Sequence, residues 1–242
     1  MEMITSLNNG TIKEIAKLKQ RKYREKTGTF LAEGKHLYEE AKRCGIVKQV
    51  LLRADSGLNV EEESVLYVSD EVMHKLSDTV SLLDIITVCR IPKAKEVSGN
   101  KVIVLDGVQD PGNIGTIIRT AISFGYRDII LGASTVDIYN EKVVRSTQGA
   151  LFEINAVRAD LTRIIPELRQ KGYHVYGTAL QNGRPMREFV PVDKIVLVFG
   201  NEGNGASDEV LSLTEKNIFI EMETFESLNV GVAAGIAMYY FK

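Results

Sequence analysis

Residues 101–131 read KVIVLDGVQDPGNIGTIIRTAISFGYRDIIL, and this stretch decides the fold. Residues 101–105 are an apolar run of strand length. Ile114, Ile117, Ile118, Ala121 and Ile122 then recur at i, i+3, i+4, i+7 and i+8, the core stripe of a helix that Gly125 ends. Residues 128–131 return to an apolar strand. A strand, a crossover helix and a second strand make the unit from which parallel sheets are built.

Toward the C-terminus the alternation continues. Helices are predicted over 141–150, 161–170, 208–213 and 229–240, and strands over 154–157, 173–177, 195–199 and 217–220. The pattern predicts an α/β domain over residues 100–242, with a mostly parallel sheet flanked by helices on both faces. Toward the N-terminus, residues 91–100 (IPKAKEVSGN) are polar, with Pro92 early and Ser98-Gly99-Asn100 late, and read as a linker. A smaller α/β domain over residues 1–95 precedes it. Its helices are expected at 11–20, 34–44 and 69–76, the last opened by a Ser69 cap, and its strands at 47–52, 65–68 and 85–91. No long repeat or low-complexity tract interrupts the chain.

The composition permits a sizeable core: 242 residues, 44% hydrophobic and 26% charged. The net charge of −2 announces no polyanionic partner. The charge is uneven, however. Residues 1–48 carry eleven Lys and Arg against six Glu. Lys13, Lys17, Lys19, Arg21, Lys22, Arg24 and Lys26 crowd one stretch that either contacts phosphates or is a solvated helix face with a mobile arm. Cys44 and Cys89 form no CxxC pair and have no nearby His, so no metal site is expected, and two isolated thiols fit a reducing compartment. The start, MEMITSLNNG, is too polar for a signal peptide. The longest apolar stretch, 230–241, falls short of the roughly 20 residues of a membrane helix. A soluble cytoplasmic protein is expected, without a membrane partner.

Three separated segments place Gly, Asn, Asp, Glu or Ser where strand meets helix: 105–120, 196–207 and 220–237. Such turns expose backbone amides that hold ligands, and three in one domain point to one composite site. The run Gly200-Asn201-Glu202-Gly203-Asn204-Gly205 is GxxGxG, not the dinucleotide fingerprint, and no GxxxxGK[ST] occurs. These glycines could equally serve only as positive-φ turn residues. Asp106, Asp110 and Asn113 can cap or brace the first turn, with Asn113 placed as N-cap. Arg119 lies off the apolar stripe of its helix. Ser227 or Asn229 can cap the last helix, whose small residues permit close packing against a neighbouring element or a second subunit.

DPGNIGTIIRTA, FGNEGNG and ESLNVGVAAGIAMY, in this order, resemble the three motifs of the SpoU/TrmH family of RNA ribose 2′-O-methyltransferases, part of the SPOUT superfamily. The similarity covers residues 101–242. Residues 22–41 (KYREKTGTFLAEGKHLYEEA) also resemble the small RNA-binding domain that precedes the catalytic domain in many members. The resemblance implies a deep trefoil knot, which this pattern could not give because knots are rare. It implies a homodimer, and S-adenosylmethionine bound by Thr178, Ala179, Gly200, Ile220 and Leu228. Asn113, Arg119, Glu202, Ser227 and Asn229 match the catalytic-site positions. Ala206 departs from the family pattern, in which a larger apolar residue is common.

The implied reaction is attack of a ribose 2′-hydroxyl on the donor's methyl, with no metal required. Arg119 is expected to contact the target phosphate and ribose and lower the cost of the forming alkoxide; the alternative the resemblance implies is Arg119 as general base, a poor one because a guanidinium stays protonated near neutrality. Asn113, Ser227 and Asn229 would orient the hydroxyl, and Glu202 would hold Arg119 or the loops. The implied partner is a structured RNA, not DNA, with Lys19, Arg21, Lys22 and Arg24 as its N-terminal contacts. Ribosomal RNA is favoured over transfer RNA by the separate N-terminal domain. The alternatives are a tRNA ribose methyltransferase, a base methyltransferase of the superfamily, a non-catalytic RNA-binding or assembly factor, and a nucleotide-binding regulator.

Overall fold

The structure, a computed structural model, describes residues 3–223 and 227–242. Glu226, which opens the third motif as read above, lies outside the described residues, as do Met1, Glu2, Thr224 and Phe225. The chain forms two compact units. One comprises Met1–Lys93 with Asp137–Phe152, the other Ala94–Val136 with Glu153–Lys242. The residues of the helix predicted at 141–150 therefore pack with the first unit, although their sequence position places them in the second.

The first unit contains β1 (Met3–Ile4), α1 (Gly10–Ala16), α2 (Arg21–Thr27), β2 (Thr29–Glu33), α3 (Lys35–Arg43), β3 (Val47–Arg53), β4 (Val65–Val68), α4 (Asp70–Leu76) and β5 (Ile85–Arg90). Its sheet order is β1-β4-β3-β5-β2. β5 runs antiparallel to both β2 and β3, and the other pairs are parallel. Ile12, Ile15 and Leu18 pack with Val72, Met73 and Leu76 of α4 over the sheet residues Leu31, Leu51 and Ile86. The helix predicted at 11–20 ends its α turn at Ala16 and continues as 3-10 helix over Lys17–Lys19. Ser69 stands at the N-cap of α4, but its side chain makes no capping bond.

The second unit contains β6 (Lys101–Asp106), α5 (Pro111–Ser123) and β7 (Asp128–Leu131). The chain then passes through α6 (Glu141–Thr147) of the first unit. It continues with β8 (Asn155–Arg158), α7 (Leu161–Gln170), β9 (His174–Thr178), β10 (Gly183–Pro185), β11 (Ile195–Gly200), α8 (Asp208–Ser212), β12 (Lys216–Phe219) and α9 (Val230–Tyr240). Among the described residues its sheet has the order β10-β12-β9-β11-β6-β7-β8, and every pair is parallel. The predicted architecture is therefore present. Strand side chains alternate between faces. Val102, Val104, Val196 and Val198 pack with Leu161, Ile165 and Leu168 of α7 and Val210 of α8. Helix α9 packs on α5 and β11. Among the described residues no helix is long and apolar enough to cross a membrane.

Candidate active site

β6 and β11 lie side by side with Asp106 in register with Gly200, so the loops after both strands leave the same sheet edge. Ligands of open α/β sheets bind outside these carboxyl ends. α5 begins three residues earlier than expected from Asn113 as cap. Asp110 is the N-cap, its carboxylate accepting the Asn113 amide at 2.9 Å, and Pro111 takes the first helical position. This frees the Asn113 side chain, which is buried, to face the other loops.

Asn113 joins two motifs. Its Nδ2 donates to Glu202 Oε1 at 3.0 Å, and its Oδ1 accepts from Asn229 Nδ2 at 2.8 Å. An amide bonded in this way uses its donor toward one loop and its acceptor toward the other. Asn229 in turn caps α9, its Oδ1 accepting the amides of Gly231 and Val232. The Glu202 carboxylate also accepts the amides of Gln109 and Asp110, the latter at 2.9 Å. Burial pushes the Glu202 carboxyl upward, but the bonds from Asn113 and from the backbone amides of Asp110 and Gln109 outweigh it and hold the group below its usual range. Glu202 thus holds the loops together. Arg119 is exposed on α5, and among the described residues its guanidinium has no hydrogen-bond or ion-pair partner.

The glycine run has a steric basis. A Cβ on Gly200 would meet the Ala206 amide nitrogen at 1.7 Å, so the returning limb of the loop excludes any side chain there. Of Gly200, Gly203 and Gly205, only Gly205 has a positive φ, +73°, so the positive-φ explanation fits only that one. Asn201 and Gly205 exchange both backbone hydrogen bonds at 2.9 Å.

A cavity of about 930 Å³ opens against this loop, within the roughly 300–1,000 Å³ of small-ligand sites. All five residues expected at the donor, Thr178, Ala179, Gly200, Ile220 and Leu228, line it, as do Glu202 and Ser227. Thr178 is fixed by its hydroxyl donating to Val198 O at 2.9 Å. Asn113, Asn229 and Arg119 are outside the lining, the first two reaching it through Glu202 and α9. Sequence reasoning missed Leu180, Gln181 and Asn182, which also line the cavity. The φ of +55° at Asn182 marks the turn that presents them, and the Gln181-Asn182-Gly183 tripeptide was the available signal.

The basic residues of the first unit behave differently. Arg24 is only 3% exposed. Its Nε donates to Asp137 at 3.1 Å and its Nη1 to Leu18 O at 2.7 Å. This corrects its assignment as an RNA contact: a guanidinium bound inside the unit is unavailable to phosphate. Lys19 donates to Asp78 and to Ser77 O, and Arg21 pairs with Glu25. Lys22 lies over the Tyr23 ring at 4.8 Å.

Comparison with known proteins identifies the family. Residues 100–239 match the SpoU rRNA Methylase family, and residues 9–82 match the MRM3-like substrate binding domain. The chain belongs to the SpoU rRNA methylase family. It is 40% identical over 247 residues, covering 100% of both chains, to the 23S rRNA (guanosine(2553)-2'-O)-methyltransferase RlmP of Bacillus subtilis (strain 168). Among solved structures, a putative RNA methyltransferase of the TrmH family from Porphyromonas gingivalis superposes with a TM-score of 0.88 at 29% identity, covering 98% of each chain. An AdoMet-bound rRNA methyltransferase from Sinorhizobium meliloti gives 0.87 at 29% identity, covering 99% of this chain and 97% of its own.

Proposed function

We propose that this protein transfers a methyl group from S-adenosylmethionine to a ribose 2′-hydroxyl of ribosomal RNA. One observation carries the reading: the five residues expected at the donor line a single cavity, while the side chains of Asn113, Glu202 and Asn229 tie the three motif loops together beside it. The cavity volume and the side-chain-free approach at Gly200 fit the donor. Bound there, S-adenosylmethionine supplies the electrophilic methyl. Thr178, Ala179, Gly200, Ile220 and Leu228 hold it. Glu202 and Asn113 keep the loops in one arrangement, so that little reorganisation is needed at reaction. Ser227 and Asn229 orient the hydroxyl. Arg119, exposed and with no side-chain partner among the described residues, meets the RNA phosphate and ribose from α5 and lowers the cost of the alkoxide.

The first unit selects the RNA, a structured loop, through Lys22 and Arg21. The knot of the family and a cytoplasmic location belong to the same reading. So does a homodimer. Val232, Ile236 and Tyr239 are exposed on α9, and their spacing puts them on one face of the helix. Such an apolar stripe fits a second copy of the chain.

Transfer of labelled methyl from S-adenosylmethionine to total RNA from a strain lacking the protein, followed by mapping, tests the proposal. Label in ribosomal RNA within nuclease-resistant dinucleotides is expected. Label in a base, label in transfer RNA, or no label contradicts it.

A further inference from the structure

We propose that Asp106 is a positioning residue for the donor site, acting through Ser207 to hold the glycine loop closed against the sheet; the inference rests on the function proposed above. Asp106 ends β6 in register with Gly200. It is not among the residues lining the cavity, and neither is Ser207. Yet its Oδ2 accepts both the Ser207 backbone amide at 2.8 Å and the Ser207 hydroxyl at 2.7 Å. The same hydroxyl oxygen accepts the Val210 amide as the cap of α8. One carboxylate oxygen therefore fixes the end of the returning limb and the start of the next helix.

The other limb is fastened independently. Asn201 Nδ2 donates to Gly107 O at 3.0 Å, and Asn201 Oδ1 accepts the Gly203 amide at 2.9 Å. The loop is thus clamped at one end to the last residue of β6 and at the other to the residue that follows it. Between the clamps lie Glu202, Gly203, Asn204, Gly205 and Ala206, all lining the cavity, as does Gly200 just before them. Because a Gly200 side chain is excluded by the Ala206 amide, the cavity wall depends on the two limbs staying in contact. Charge-assisted bonds from a carboxylate are about twice as strong as neutral ones, and loss of the Asp106 pair frees the limb that carries Ala206. A group that acts by shaping the donor site changes donor binding and leaves the chemical step alone.

The test uses the full chain. Titration calorimetry with S-adenosylhomocysteine is run on wild type, Asp106→Ala, Asp106→Asn and Ser207→Ala, with methyl-transfer kinetics and thermal denaturation alongside. Asp106→Ala is expected to weaken binding about tenfold and raise KM for S-adenosylmethionine equally, with kcat and KM for RNA unchanged. Asp106→Asn is expected to restore most of the affinity, because its amide oxygen accepts the same two bonds. Unchanged donor affinity in Asp106→Ala, or a fall in kcat at constant KM, overturns the proposal. Should Asp106→Ala not fold, unchanged affinity in Ser207→Ala overturns it. Failure of the wild type itself to bind the ligand overturns the functional reading instead, so the two failures are distinct.

Discussion

The three motif loops of the second unit and the basic stretch of the first were both singled out from sequence, and they fare differently. The loops were chosen because Gly, Asn and Asp impose local backbone geometry, and their side chains meet: Asn113 bonds Glu202 and Asn229, respectively 89 and 116 residues away in the chain. The basic residues were chosen by charge count alone, and the fold gives each of them different surroundings. Arg24 is an internal strut, Lys19 and Arg21 are engaged by acids, and Lys22 stacks on an aromatic ring. A turn residue carries its geometric demand with it. A charge says nothing of its partner until the fold supplies one.

The largest effect on this contrast is expected from Arg119→Ala. Loss of a group that stabilises developing charge costs on the order of 100- to 1,000-fold in rate, while donor affinity stays near wild type because Arg119 does not line the cavity. Single-turnover methyl transfer with parallel calorimetry checks both, and near-normal turnover removes the proposed role. Next is Arg24→Ala. Breaking a buried pair leaves Asp137 uncompensated and costs about 3–5 kcal/mol, read as a lower denaturation midpoint. Lys22→Ala sharpens the comparison: stability is unchanged, RNA binding weakens, and the salt slope of the affinity falls by about one. Equal stability in the two variants dissolves the distinction drawn between these residues.

Much of the second unit was legible because each local signal agreed with the global fold. The α5 stripe, the Gly125 stop and the apolar strand runs all coincide with observed elements. The first unit was less so. Strand β2, Thr29–Glu33, is buried at every residue, so it shows no alternation and its five residues gave no period to detect. Helix α2 buries Arg24 where an apolar residue would mark a core face, so it looked like a polar surface. The grouping of Asp137–Phe152 with the first unit depends on long-range contacts such as Arg145 with Glu33 at 2.8 Å and Phe30 with Tyr139, which no local pattern announces. At the site, the identity of Asp110 rather than Asn113 as the cap decided which side chain was free to bridge the loops.

The smallest effect is the acid dependence of the loop junction. The folded Glu202 carboxyl lies below its ordinary value, so its stabilisation is present above the unfolded value of about 4.3 and is lost as pH falls through the lower folded value. The stability gap between wild type and Glu202→Gln, followed by thermal unfolding, should be constant near neutrality and shrink in acid. A gap that does not change across the acid range contradicts the bonding described for this group.

Hydrogen–deuterium exchange with and without S-adenosylhomocysteine tests most directly whether the loops make one donor site. Slower exchange is expected together at residues 178–182, 200–206 and 227–231 when ligand is added. Slowing confined to residues 3–93, or at only one of the three loops, contradicts a composite site.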